Sequence, residues 1–196
     1  DESLFTMSAT AETPSHDDLT PAQVRALART PGQALRHGMV QAAPFMLVLI
    51  PFGTLFGVVA AETGLKLSQA LGFSVLVLAG ASQFTAVQLL TDHAPALVII
   101  VSAIAVNLRM AMYSAALVPW LGGASPRQRG LIAYLLIDQN FALSVQHYEK
   151  NPRLSMTQRI AYFLGASVSC CVPWAVFSTL GFVLGRAIPE SWALDF

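Results

Sequence analysis

Two residues of this chain sit where a charge is hardest to keep. Arg109 stands about 14 residues into an apolar stretch over residues 95–121, and Asp138 lies inside a second one over residues 128–147. At the centre of a membrane helix an Arg or Asp opposes insertion by ~2.5 to 3.5 kcal/mol. Each must therefore face a partner, a water-filled cavity or a ligand. Gln83, Asn107, Gln139 and Asn140 place amide groups at comparable depth. Taken singly, such amides are interhelical glue worth about 0.6 to 2 kcal/mol each. Taken with Arg109 and Asp138 they describe one polar pocket at mid-membrane. Two kinds of chemistry suit it: binding a charged or zwitterionic solute, and carrying a proton on Asp138. An Arg109–Asp138 ion pair that fixes helix register is the structural reading, and the readings coexist if a substrate opens the pair.

Those residues need apolar helices to hold them. Of 196 residues, 55% are hydrophobic and 11% charged, less than half the charge of an ordinary soluble domain at roughly 25%. Residues 38–61, 67–91 and 160–185 contain no Asp, Glu, Lys or Arg, and each exceeds the ~20 residues that cross ~30 Å of hydrocarbon. With residues 95–121 and 128–147 they make about five membrane segments of an all-α, polytopic protein. The first carries Pro44, Pro51, Gly53 and Gly57, so its backbone hydrogen bonds are expected to be interrupted at least once. The second holds Gly80-Ala81-Ser82-Gln83, with Gly80 able to admit a ligand or a neighbouring backbone. The fifth contains Pro173 and Trp174 and is long enough to tilt or break.

The domain reading is a tail over residues 1–37 and a transmembrane transport domain over residues 38–196. The tail is polar and acidic to Thr20, where disorder is expected. Met7 could be the natural start. Thr20-Pro21 then predicts a short surface helix to Arg29. Arg25, Arg29 and Arg36 precede segment one, and Lys150, Arg153 and Arg159 separate segments four and five. Five full spans put those six on one side, expected to be the cytoplasm, and Lys66, Arg127, Arg129 and Arg186 on the other. Similarity between the stretches starting at Thr54 and Thr179 hints at an internal repeat, whose second copy stops early.

Several classes are excluded or disfavoured. Formal charge is +0, leaving no basic surplus for nucleic acid. No HExxH, GxSxG, P-loop or GxGxxG pattern occurs, and Asp138 has no second acid at its depth, so an enzyme is not expected. Cys170 and Cys171 are adjacent in an apolar run, which suits packing rather than a disulfide, and no metal-site spacing is present. No cofactor is implied. His147 and the aromatic residues Trp120, Tyr148, Trp174 and Trp192 read as interface residues.

Three motifs carry a resemblance. Gly80-Ala81-Ser82-Gln83-Phe84, Val106-Asn107-Leu108-Arg109-Met110 followed by Tyr113-Ser114, and Ile137-Asp138-Gln139-Asn140-Phe141-Ala142 together resemble the AzlC family, the large subunits of bacterial branched-chain amino acid exporters. The resemblance runs from about Gly38 to the end. It implies export of valine, leucine, isoleucine and methionine across the inner membrane, in complex with a small hydrophobic subunit of the AzlD type. Many members read Thr-Asp-Glu where this chain has Ile137-Asp138-Gln139, and often His where it has Met110. That leaves Asp138 as the proton-coupling candidate. Members also continue past the position of Phe196, so the chain reads as C-terminally short. The resulting substrate-binding set is Gly80, Gln83, Asn107, Arg109, Asp138 and Gln139. In it, Arg109 and exposed amides of a broken first helix take the carboxylate. Asp138 with Gln139 takes the ammonium, and Phe52, Phe56 and Phe84 form the apolar wall. A channel or carrier for another solute, and a non-transporting membrane subunit, are the competing readings.

Overall fold

The structure is a computed structural model and describes residues 19–187. Every regular element among the described residues is helical. A surface helix α1 (Pro21–Leu27) starts on Thr20, whose side chain accepts from the Gln23 amide, with Gln23 reaching back to complete a capping box. It ends two residues before the Arg29 expected from sequence. The expectation for the preceding tail falls on residues 1–18, outside the described residues, as does Trp192.

α2 (Pro31–Ala42), a single 3-10 turn (Ala43–Phe45) and α3 (Met46–Glu62) form one 32-residue span. The interruption expected in segment one is thus reduced to one tightened turn at Pro44. Pro51 lies inside α3 without breaking it. A tightened turn re-pairs the backbone groups that a proline frees, without opening the helix. The other long apolar helices are α6 (Ala96–Leu121) and α9 (Met156–Ala187). Pro173 does not break α9.

Segments two and four are each two half-length helices joined by three residues. α4 (Leu67–Leu76) and α5 (Gly80–Thr91) flank residues 77–79, while α7 (Pro126–Tyr134) and α8 (Asp138–Lys150) flank residues 135–137. At 1.5 Å per residue each half rises ~13 to 20 Å, about half of a ~30 Å bilayer core.

Contacts show that both pairs turn back instead of crossing. α2–α3 and α9 run parallel: Gly38 meets Tyr162 and Ala166 near their starts, and Gly57 meets Ser178 and Phe182 near their ends. At the starting end, Gln23 donates to the Lys150 carbonyl, Arg159 to the Trp120 carbonyl, and Gln158 to the carbonyls of Leu27 and Arg29. The beginning of α7 and the end of α8 therefore lie at the same end of the molecule. Between them Ile137 packs mid-span with Ala42, Leu49, Ala166 and Cys170. At the opposite end Arg186 donates to the Leu65 carbonyl, and Val87 of α5 packs with Ala60 and Phe182. The result is three spans and two re-entrant hairpins, 67–91 and 126–150, entering from opposite ends with their tips at mid-depth.

This changes the charge map. With segment four re-entrant, Arg127 and Arg129 join Arg25, Arg29, Arg36, Lys150, Arg153 and Arg159 at one end, and only Lys66 and Arg186 lie at the other. The asymmetry is far steeper than five full spans give.

The contact between α2–α3 and α9 dominates the packing, and small residues make it close. A β-carbon at Gly57 would overlap the Ser178 carbonyl, and one at Gly181 would overlap that of Thr54. The contact is reciprocal, Gly57 lying on Ser178 and Gly181 on Thr54.

On a Cys170→Ser, Cys171→Ser background, Arg36→Cys, Ser125→Cys and Asn151→Cys are expected to react with an impermeant maleimide from one membrane face. Asp92→Cys should react from the other. Labelling of Ser125→Cys and Asn151→Cys from opposite faces would contradict the hairpin.

Candidate functional site

Each hairpin tip exposes peptide groups that hydrocarbon cannot satisfy, and each is repaired by an amide one turn into the following helix. Gln83 donates through Nε2 to the carbonyls of Val77 and Phe73 (3.1 Å), and its Oε1 accepts from the Trp174 indole at 3.1 Å. Asn140 donates through Nδ2 to the Leu135 carbonyl at 2.6 Å and to Ser167 Oγ at 2.8 Å, while its Oδ1 accepts from the Ile137 amide at 3.0 Å. Both amides are fully buried. Both end on α9, at Trp174 and Ser167, two turns apart. The tips are thereby tied to one long helix.

The amide side of each break is left open. α5 starts on Ala79 and α8 on Ile137, residues with no side chain that can cap. Backbone donors of a first turn, with the positive end of the helix dipole behind them, suit an anionic or polar ligand. Here two such termini converge on a cavity of about 270 Å³. Gly80 and Ala81 line it from one tip, Asp138 and Gln139 from the other, with Arg109 and Met110 from α6. The volume is below the ~300 to 1,000 Å³ of drug-sized pockets, so the occupant is small.

Arg109 and Asp138 pair directly on the wall of this cavity, Nη2 to Oδ2 at 3.1 Å, with side chains 32% and 40% exposed. The pair is incompletely satisfied: Arg109 Nε and Asp138 Oδ1 are buried and unpartnered. One turn along, Tyr113 of α6 stacks on Phe141 of α8 at 4.2 Å and 12°, setting the register that brings the two charges together.

Four of the six residues proposed from sequence therefore meet in one cavity: Gly80, Arg109, Asp138 and Gln139. The remaining two lie elsewhere. Gln83 lies behind the tip with both ends of its amide engaged. Asn107 lines a separate groove with Val77, Ser82 and Ile104, its Oδ1 buried without a partner. Phe52 and Phe84 belong to the cavity wall. Phe56 is fully buried behind it, against Phe84 at 5.6 Å and Trp174 at 6.1 Å. The open backbone groups belong to segments two and four, not to the first helix.

Among the other lining residues, sequence reasoning assigned Cys170 and Cys171 to packing and Trp174 to the membrane interface. Trp174 is no interface anchor. It covers Gly80, where a β-carbon would come within 2.7 Å of its ring, so glycine here admits an indole. Its signal in sequence was a tryptophan beside a mid-helix proline, remote from either end of the span.

With this geometry in view, comparison with known proteins is direct. The AzlC protein family matches residues 44–188, which include both hairpins and every cavity residue named above. The chain belongs to the AzlC family. It is accordingly a membrane protein of a transport family. It is also 30% identical over 153 residues to an uncharacterized membrane protein of Archaeoglobus fulgidus, an alignment covering 78% of this chain and 64% of that relative. No solved structure matches the chain.

Gln83→Leu strands the Val77 carbonyl and an indole N–H, since the Phe73 carbonyl keeps the Val77 amide, and Asn140→Leu strands a carbonyl and an amide. At about 1 to 3 kcal/mol for each buried unsatisfied group, both variants should unfold at clearly lower temperature in micelles. An unchanged midpoint would remove the tip-repair role.

Proposed function

We propose that the protein exports branched-chain amino acids, namely valine, leucine, isoleucine and methionine, as the large subunit of a two-component secondary transporter. It works in the bacterial inner membrane beside a small AzlD-type subunit, with its basic end in the cytoplasm. The observation that carries this reading is the Arg109–Asp138 pair, half-satisfied across a small cavity between two open helix starts. A zwitterion needs a cationic and an anionic contact close together, with an apolar wall for its side chain. Val48, Phe52, Phe84 and Met110 supply that wall. Family membership supports the transport class, and the steep charge asymmetry supports the orientation.

In the empty site Arg109 and Asp138 neutralise one another, which offsets part of the cost of holding both in the membrane. Substrate inserts between them. Its carboxylate takes Arg109 and the first-turn amides of α5 at Gly80 and Ala81. Its ammonium takes Asp138 with the Gln139 side chain. Among the described residues Asp138 is the one acid lining the cavity, so a proton that accompanies transport is carried there. Tips entering from opposite ends allow one hairpin to withdraw while the other stays closed, a route to alternating access.

Valine efflux from proteoliposomes holding the full-length chain should require the small partner and leave labelled lysine behind. Counterflow of labelled against unlabelled valine should mark a carrier rather than a channel. A charged hydrogen bond is worth about 1.5 to 3 kcal/mol, so Arg109→Gln and Asp138→Asn should each slow efflux by about tenfold to a hundredfold. Wild-type efflux from correctly assembled Arg109→Gln would end this assignment.

A further inference from the structure

A second cavity, about 520 Å³, opens at the basic end between the α1–α2 link, α2 and the end of α8. Its walls are fixed by long-range bonds: Gln23 holds the Lys150 carbonyl, and the buried Gln158 holds the backbone of Leu27 and Arg29. The residues facing inward are mostly donors. Arg29 and Lys150 supply cations. His37 and His147 stand 5.2 Å apart, and His37 Nδ1 is buried with no partner. His147 is held by stacking on Tyr162 at 4.0 Å. The Tyr162 hydroxyl donates to Gln41 Oε1, which turns the Gln41 amide nitrogen into the group left for a ligand. Among the described residues Glu149 is the acid at this rim.

Among the described residues, donors in excess around two cations and one acid match a single negative charge better than a phosphate dianion. Among the described residues the apolar lining is confined to Ala22 and Ala26, which give no track for an acyl chain and no surface that reads an aliphatic side chain. We propose that this cavity is a second binding site, for the carboxylate of a small monoanion or amino acid, at the opposite end of α8 from the central cavity. The carboxylate takes Arg29, Lys150, Gln41 and the unpartnered face of His37. Its place in an export cycle, as a loading site that accepts carboxylates without selecting the side chain, rests on the exporter reading; its chemistry does not. Between the two cavities α8 carries Ser144, fully buried with no partner for its hydroxyl.

The test is carbethoxylation of His37 by diethylpyrocarbonate in the complete protein in phosphatidylcholine nanodiscs, read by peptide mass spectrometry, with exposed His93 as internal control. Acetate or valine at about ten times its Kd should slow modification of His37 about tenfold, leave His93 unchanged, and lose this effect in the Arg29→Gln, Lys150→Gln variant. Methylammonium chloride at equal ionic strength should give no protection. Absence of protection by acetate and valine would overturn the proposal, even with valine efflux and its Arg109 dependence intact. Protection that follows added phosphatidylglycerol or inorganic phosphate as strongly as acetate would overturn the carboxylate assignment. Protection of His37 in a protein that does not move valine would uphold this site and reject the exporter reading.

Discussion

A helix that stops inside hydrocarbon must find partners for the peptide groups it frees, and in this protein that requirement arises twice. Each break, at residues 77–79 and 135–137, resolves it by the same division. The carbonyls on the near side are taken by a buried amide, Gln83 or Asn140, one turn into the next helix. The N–H groups on the far side stay open. Unsatisfied backbone survives in a bilayer only where protein or a cavity receives it, so the breaks and the cavity between them require one another. Both repairing amides hang on α9, which also carries the largest interface of the fold against α2–α3. The site is thus positioned by a parallel helix pair packed glycine to backbone.

Charge follows from the same arrangement. Arg109 comes from a span and Asp138 from a hairpin tip, and their pairing depends on the Tyr113–Phe141 stack one turn away. Were the pair purely structural, fuller satisfaction of both groups would be expected. Instead one nitrogen and one oxygen are left over, beside a cavity large enough for a small solute. The pair stabilises the empty state, and its unused capacity is what a zwitterion would take up.

Much of this was legible in sequence. Uncharged runs longer than a bilayer thickness gave the membrane segments, the Thr20-Pro21 cap gave the surface helix, and depth alone singled out Arg109 and Asp138. What sequence misplaced was backbone continuity. Prolines predicted a break in segment one, yet Pro44 is absorbed by a 3-10 turn and Pro51 by the helix. The real breaks fall at Val77-Leu78-Ala79 and Leu135-Leu136-Ile137, apolar triplets with no breaking residue. Their cause is tertiary: an amide a few residues on that competes for the carbonyls, and a neighbour, Trp174 or Ser167, that holds the amide in place. Composition cannot show that, and for the same reason hydropathy read segment four as a span, left the crossing of segment two undecided, and mis-sorted Arg127 and Arg129. Gln83 and Asn140 looked like pocket residues because a buried amide satisfying backbone has the same signature as one awaiting a ligand.

The central claim is that one small cavity recognises both charges of its ligand at once. Cys171 lines that cavity, so with Cys170→Ser it becomes a local reporter of occupancy. The most direct measurement is alkylation of Cys171 by a small methanethiosulfonate in the protein in nanodiscs, with valine, isobutylamine or isovalerate present. The account predicts saturable protection by valine, with each analogue that lacks one charge weaker by about tenfold or more. Equal protection by isobutylamine or isovalerate would contradict it, because the Arg109–Asp138 pair would then not be what the ligand divides.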